Sequence, residues 1–185
     1  MVVPLLDDDR VIVERQWRYP MGRAMLEFPA GKLEPGEPVL DCAVRELIEE
    51  TGYRAAEWAR AGILHNAIGY SDEGIEIWFA RGLALGERSL DAGEFLDVFE
   101  ASVDALEDAA RRGEITDAKT LIGLLWLVHW RAGRWPLQWL ATAQVQDLHG
   151  AIMVTKAQRR PPTEGATGRR ANGRARAGRS ASWRR

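Results

Sequence analysis

Cysteine is almost missing from this 185-residue chain, which contains only Cys42. A single thiol cannot form an internal disulfide, so a disulfide-stapled scaffold and a cysteine-rich zinc site are both excluded. Long apolar runs are also missing: no stretch approaches the roughly 18 residues that span a bilayer, and the N-terminus MVVPLLDDDR turns to charge after six residues. We therefore expect a cytoplasmic protein with no signal peptide and no membrane span.

The net charge of −2 conceals an uneven distribution along the chain. Residues 1–155 hold 15 Lys and Arg against 26 Asp and Glu, whereas residues 156–185 hold 10 against one. From residue 157 the composition is Arg, Gly, Ala, Ser and Pro, which cannot bury enough apolar surface to offset the cost of ordering. We expect a basic disordered tail over 157–185. It lacks regularly interleaved aromatic residues, which favours a solvated appendage over a nucleic-acid contact.

Short β-branched and aromatic runs bounded by turn formers predict strands along the first 102 residues. The first two, VVPLL and RVIVERQW, flank an acidic turn and are interpreted as a hairpin. Tryptophans in such runs are expected in the core, although Trp17 beside Arg18 also has the position to stack on a base. Further strands are predicted at residues 24–28, 58–68, 74–83 and 95–102.

Helical spacing of apolar residues predicts a helix from Pro38 to Thr51, stopped by Gly52. Two more helices are predicted over 102–115 and 116–133, the second with Thr116 as its cap. Strands around two or three helices indicate an α/β or α+β fold, with residues 138–156 ambiguous.

Three glutamates in the first predicted helix have a spacing that indicates a metal-binding face. Glu46, Glu49 and Glu50 stand at i, i+3 and i+4, so their carboxylates are predicted to share one helix face, where they repel each other. Hard divalent cations that prefer oxygen ligands, Mg²⁺ or Mn²⁺, would compensate this charge. The cluster contains no His or Cys, which argues against zinc. The alternative is a solvated helix face with Arg45 as an incidental neighbour.

The residues around these glutamates decide against that alternative. Residues 31–53 read GKLEPGEPVLDCAVRELIEETGY, which matches G-x5-E-x7-R-E-U-x-E-E-x-G-U, with U a bulky apolar residue, at every specified position. Chance agreement at one start point is on the order of 10⁻⁹ from average residue usage. The segment resembles the Nudix box.

The resemblance implies a Nudix hydrolase: an αβα sandwich around a mixed β-sheet, occupying residues 1–137, that cleaves a nucleoside diphosphate linked to another group by metal-assisted water attack. It implies that Glu46, Glu49 and Glu50 are metal ligands, the last two also catalytic. Glu37 and Arg45 are expected to brace the loop-helix-loop. Gly31 and Gly52 permit the turns at its two ends, and Cys42 is expected on the buried side of the helix.

Segments outside the box, ERQWRYP, LEFPAGKLEPGE and GEITDAKT, resemble the ADP-ribose pyrophosphatase branch. That likeness implies hydrolysis of ADP-ribose to AMP and ribose 5-phosphate by a homodimer. It assigns Arg18 to the substrate phosphates, against a plain surface arginine, and the Ala30 carbonyl to the metal. Glu27 and Glu73 are assigned to substrate binding, Glu73 facing the distal ribose. Glu94, on a loop after the box, is the expected base for the attacking water.

Three departures from the branch keep other interpretations open. Ile68 stands where the branch has a proline, and the chain opens almost directly in the catalytic fold, without the branch's N-terminal strand domain. The basic tail has no counterpart in the family pattern. A Nudix pyrophosphatase for another nucleotide sugar, NADH or a dinucleoside polyphosphate is one alternative. A non-catalytic module that binds nucleotide or nucleic acid is the other, and the complete set of box glutamates argues against it.

Overall fold

The computed structural model describes residues 1–90 and 95–144. Within these residues, seven strands form two sheets: β1 (Val2–Pro4), β2 (Arg10–Arg18), β3 (Arg23–Glu27), β4 (Tyr53–His65), β5 (Gly74–Leu85), β6 (Leu96–Ser102) and β7 (Leu140–Ala141). Three α-helices accompany them in the same part of the chain: α1 (Val39–Glu46), α2 (Val103–Arg111) and α3 (Ala118–Arg131). A short 3-10 turn, Tyr19–Met21, connects β2 to β3, and a π-helical turn, Leu47–Thr51, extends α1.

One sheet is mixed and the other antiparallel. The four-stranded sheet has the order β1-β5-β4-β7, with β1 parallel to β5 and the other neighbours antiparallel. The three-stranded sheet has the order β3-β2-β6 and is antiparallel throughout. The structure thus combines α-helices with one mixed and one antiparallel sheet, which confirms the α+β fold class.

Helices cover both faces of the mixed sheet, and the alternation of side chains along the strands explains why. In β5, Trp78 packs into a cluster with Leu47 and other apolar residues of the α1 segment. The next residue, Phe79, packs into the larger cluster that includes Leu106 of α2 and Leu127 of α3. Successive strand residues point to opposite faces. The sheet is therefore buried on both sides, the αβα layering that the box resemblance implies.

The predicted N-terminal hairpin is wrong. Strand β1 pairs in parallel with β5, Val2 lying opposite Trp78, and β2 pairs with β3 and β6 in the other sheet. Only an isolated bridge between Leu5 and Val11 connects the two runs. Val2 and Val3 are both fully buried, one in each apolar cluster, and burial on both faces is available only inside the covered mixed sheet.

Other predicted elements are confirmed with shifted bounds. The strand expected from residue 58 begins at Tyr53, directly after the box, and α3 is capped by Asp117 rather than Thr116, because the Asp117 carboxylate accepts from Thr120 N. The ambiguous segment contributes β7, which pairs with β4. Trp58 and Trp78 are buried as expected, whereas Trp17 is 60% exposed, so its expected place in the core is wrong.

Within the described residues, no helix is both long and apolar enough to cross a membrane. The tail over 157–185 and the remainder of the segment from residue 145 lie outside the described residues.

Candidate active site

The segment from Gly31 to Gly52 forms a loop, helix α1 and a π turn, and it carries the candidate catalytic carboxylates. Gly52 closes the π turn with φ +78°, a left-handed conformation that side chains rarely adopt, and its N–H donates to the Ile48 carbonyl at 2.8 Å. The chain then enters β4 at Tyr53. The helix is thereby tied directly to the mixed sheet, which fixes its glutamates relative to the strands.

Arg45 is the centre of the hydrogen bonds within this segment. Its Nε and Nη2 donate to the two carboxylate oxygens of Glu37 at 2.9 and 3.1 Å, and Nη2 also donates to the Lys32 carbonyl at 3.1 Å. Its Nη1 donates to Glu46 at 2.8 Å and to Glu49 at 2.9 Å. One guanidinium group therefore connects the loop before the helix to two of the three glutamates, the contacts expected of a brace.

This pairing fixes the charge states of the brace. The hydrogen bond from Arg45 lowers the pKa of Glu37 to about 2, and the same bond raises the already high pKa of Arg45. Both groups are therefore charged at neutral pH. Cys42 is buried beside them, and desolvation raises the pKa of its thiol to about 11, so it remains a neutral thiol.

Glu46 lies directly against the backbone of Gly31. A Cβ added at Gly31 would lie 1.8 Å from the carboxylate carbon of Glu46, so only glycine leaves room for this side chain. The glycine's place in the box therefore has a steric cause in addition to the turn that the sequence predicts. It brings the Glu46 carboxylate against the peptide that follows Ala30.

Glu50 approaches the same peptide from the π turn. It is 4% exposed, and its Oε2 accepts a hydrogen bond from the Ala30 N–H at 2.9 Å. The π turn changes the spacing of the last residues of the helix, so the three glutamates do not simply line one α-helical face. Glu46 and Glu49 converge on Arg45, whereas Glu50 reaches Ala30.

The donor set fits a hard divalent cation, since it consists of carboxylates with a backbone carbonyl nearby and no thiolate or imidazole. Glu46 and Glu49 already converge on one positively charged nitrogen, Nη1 of Arg45. As the side chains stand, however, no three acidic, His or Cys groups in the described part of the chain enclose a metal position. Ion binding would therefore require a carboxylate to rotate from the contact that it makes here.

A second charged cluster joins Arg18, the last residue of β2, to Glu27, the last residue of β3. Arg18 forms a two-bond pair with Glu27, Nε and Nη2 donating at 2.7 and 2.8 Å. Glu27 is 2% exposed and also accepts from Nζ of Lys119 in α3. Burial opposes ionisation of Glu27, but the bonds from the two cations outweigh it and lower the pKa of Glu27. Glu27 therefore faces these two cations, and its predicted direct contact with substrate stays a prediction.

The start of α3 fixes Lys119. Its Nζ donates to Asp117 at 3.0 Å, and the same carboxylate caps the helix by accepting from the Thr120 N–H at 2.9 Å. The Thr120 hydroxyl in turn lies 3.4 Å from the N–H of Phe28, which follows Glu27. The α3 terminus is thus bonded to the strand end that leads into Ala30 and Gly31.

Lys119 is the residue that sequence reasoning missed. GEITDAKT was recognised as a family element, but no role was given to its lysine. A signal was present, because a lysine in the first turn of a helix opposes the helix dipole and calls for a local partner. Its partner Glu27 is 92 residues away in sequence, which only the fold reveals.

A cavity of about 460 Å³ opens beside the box segment. Its wall includes Ala30, Gly31 and Glu46 on one side and Ile63, Glu73 and Trp78 on the other. Glu73 is exposed on the loop before β5. The structure therefore brings Glu73 to the same cavity as the box residues, while Glu94 lies outside the described residues.

Comparison with known proteins agrees with this geometry. The NUDIX domain profile matches residues 1–122. An ADP-ribose pyrophosphatase of Bacillus subtilis is 35% identical over 128 residues, 68% of this chain and 69% of that protein. A methanol dehydrogenase activator of Bacillus methanolicus is 34% identical over the same length, with the same shares covered. An ADP-ribose pyrophosphatase of Mycobacterium tuberculosis is 35% identical over 127 residues, 67% of this chain and 61% of that protein.

A solved structure is similar as well. The crystal structure of an ADP compounds hydrolase superposes with a TM-score of 0.66 at 27% sequence identity, covering 72% of both chains. The likeness therefore extends from the box to most of the described fold.

Proposed function

Because the chain belongs to the Nudix hydrolase family, we propose that it hydrolyses the pyrophosphate bond of a nucleoside diphosphate sugar, with ADP-ribose as substrate and AMP and ribose 5-phosphate as products. The observation that carries the proposal is the arrangement of Glu46, Glu49 and Glu50 around Arg45 and the Ala30 peptide. The names of the relatives from Bacillus subtilis and Mycobacterium tuberculosis support ADP-ribose in particular.

Nudix hydrolases depend on divalent metal ions, and Mg²⁺ is the ion proposed here, with Mn²⁺ as a substitute. Glu46, Glu49, Glu50 and the Ala30 carbonyl would hold it. When bound, the ion neutralises phosphoryl oxygens and lowers the pKa of the attacking water. Arg45 and Glu37 keep these ligands in place through the hydrogen bonds described above.

The remaining roles belong to side chains that would contact substrate or water. Arg18 is 38% exposed, and its guanidinium group suits the planar, two-bond recognition of a phosphate. Glu73 on the cavity wall would face the distal ribose. Glu49, Glu50 and Glu94 are the carboxylates proposed to orient the water and accept its proton.

The setting of the enzyme completes the proposal. The protein is proposed to act as a homodimer in the cytoplasm. The compartment is proposed because a chain with a single cysteine suits a reducing environment. Neither a membrane nor a nucleic acid is among the proposed partners.

Product analysis tests this proposal. Purified protein with Mg²⁺ is incubated with ADP-ribose, NADH, nucleotide sugars and diadenosine polyphosphates, and the products are identified by mass spectrometry. We expect AMP and ribose 5-phosphate from ADP-ribose, and a loss of at least about 100-fold in Glu50→Gln, because the amide preserves the volume but removes a ligand charge.

The control for that loss is Glu107→Gln, an exposed glutamate of α2 far from the box in sequence. It should retain wild-type turnover, and both variants should retain the wild-type circular dichroism spectrum. If only another substrate is cleaved, ADP-ribose is rejected as the substrate but the proposed hydrolase activity stands. Near-normal activity of Glu50→Gln would contradict the assignment of Glu50 as a metal ligand.

A further inference from the structure

The buried carboxylate of Glu27 has two cationic partners, and only one of them is exposed enough to exchange this carboxylate for another ligand. Arg18 and Lys119 both donate to it. The Arg18 side chain is 38% exposed, whereas the Lys119 side chain is 12% exposed and Glu27 itself 2%. Arg18 can therefore reach solvent or a ligand, and Lys119 is confined to the interior of the cluster.

A buried carboxylate without a partner is strongly unfavourable, since desolvation of its charge is not offset. If Arg18 were the only cation beside Glu27, moving it to a substrate phosphate would leave that charge buried and unpaired. The pair would then compete with substrate for the same guanidinium group.

The neighbouring charges increase this competition. Glu14 is 1% exposed and is the cross-strand neighbour of Glu27 in the β2–β3 ladder, so both carboxylates lie on the same face of the sheet. Asp117 lies close enough for Lys119 to contact both Asp117 and Glu27. Arg18 and Lys119 therefore lie among these three carboxylates, and removal of either cation makes the cluster more negative.

We propose that Lys119 is a positioning residue for substrate binding: it keeps Glu27 neutralised, so that Arg18 can exchange this carboxylate for a phosphate of the substrate. The inference rests on the proposed function, in which Arg18 binds phosphate. Asp117 holds the lysine for this task through a bond at 3.0 Å while it caps α3. The nucleotide sugar is thus selected in part by a residue that does not touch it.

Substitution of Lys119 tests the exchange. Lys119→Met preserves the length of the side chain and removes its charge, so Arg18 is held by Glu27. We expect the KM for ADP-ribose to rise about tenfold with kcat changed less than about twofold, because ground-state and transition-state binding are weakened equally. Lys119→Arg keeps the charge and should restore most of the affinity.

The double variant Glu27→Gln with Lys119→Met separates positioning from a merely structural role. Removing the carboxylate charge releases Arg18, so the KM should return to within about threefold of wild type. If Lys119 served only to stabilise the fold, the second substitution would not repair the first. Arg112→Met, at the exposed residue directly after α2, is the matched control, and the melting temperatures of all variants report on folding.

Affinity for inorganic pyrophosphate, measured by isothermal titration calorimetry, provides a readout that does not depend on turnover. We expect Lys119→Met to weaken it by about the same factor as the KM. Normal turnover of ADP-ribose with an unchanged KM and unchanged pyrophosphate affinity in Lys119→Met overturns the inference alone. If the protein instead hydrolyses a different substrate, and the KM for that substrate differs between the variants by the expected factors, ADP-ribose is rejected as the substrate and the role of Lys119 is supported.

Discussion

At the scale of single residues, Gly31 of the box matters because it has no side chain. The Glu46 carboxylate occupies the space that a side chain at position 31 would fill. The atoms in conflict belong to the end of a flexible side chain, so a larger residue would displace Glu46 rather than the backbone. Position 31 is therefore linked to activity more closely than to stability.

Gly31→Ala should consequently reduce turnover at least about 30-fold while lowering stability by less than about 1 kcal/mol, since it moves one carboxylate by rotation rather than opening the core. Steady-state kinetics and chemical denaturation measure the two effects.

Gly69→Ala is the control for that comparison, because a Cβ there meets no atom within 4 Å. It should change neither quantity. Full activity in Gly31→Ala would show that Glu46 can leave this position without consequence, contrary to its assignment as a ligand.

At the scale of elements, Glu37 and Arg45 tie the loop before α1 to the helix itself. The Arg45 bonds lower the pKa of Glu37 from an ordinary value of 4.5 to about 2. A carboxylate whose pKa is lower in the folded state stabilises the fold above its ordinary pKa, and this stabilisation is lost as the pH falls towards the folded value. The loop-helix contact is therefore acid-sensitive over a defined range.

Glu37→Gln should lower the melting temperature at pH 7, and the difference from wild type should shrink as the pH falls from about 4.5 to about 2. Thermal denaturation of both proteins at pH 7, 4 and 2.5 measures this. The same series for Glu107→Gln, at an exposed position of α2, is the comparison for a substitution that leaves the Arg45 pair intact. A constant difference for Glu37→Gln across the series would show that the pair does not titrate in this range.

The elements also show where sequence patterns succeed locally. Apolar spacing and the glycine stop predicted the helix that begins near Pro38, because both are properties of neighbouring residues. The same spacing did not predict the π turn, Leu47–Thr51, from which Glu50 bonds to the Ala30 N–H, 20 residues earlier in the chain. The Thr116 cap was wrong although the observed cap is local: Asp117 accepts from the Thr120 N–H three residues later and also binds Lys119.

At the scale of the whole molecule, the fold is held by apolar clusters on both faces of the mixed sheet. The box glutamates lie at the margin of these clusters: Glu46 and Glu49 form ion pairs with Arg45, and Glu50 accepts a hydrogen bond from the Ala30 N–H. The fold therefore supplies partners for these carboxylates from its own backbone and side chains.

Removal of divalent cations with EDTA should abolish turnover and lower the melting temperature by less than about 3 °C, because weakly bound ions add little to folding stability. Kinetics and thermal denaturation, each with and without EDTA, provide the check. Addition of excess Mg²⁺ should restore activity in full. Unfolding on chelation would assign the ion a structural role.

Local spacing and residue type were enough to predict the family, the α+β class and the residues of the box. Only the tertiary structure separated β1 from β2 into different sheets, turned Glu27 inward and brought Lys119 to it across 92 residues. Strand pairing depends on which faces are covered by distant helices, and a buried carboxylate selects its partners by proximity in space. Neither is encoded in the order of neighbouring residues, so both appear only when the chain is folded.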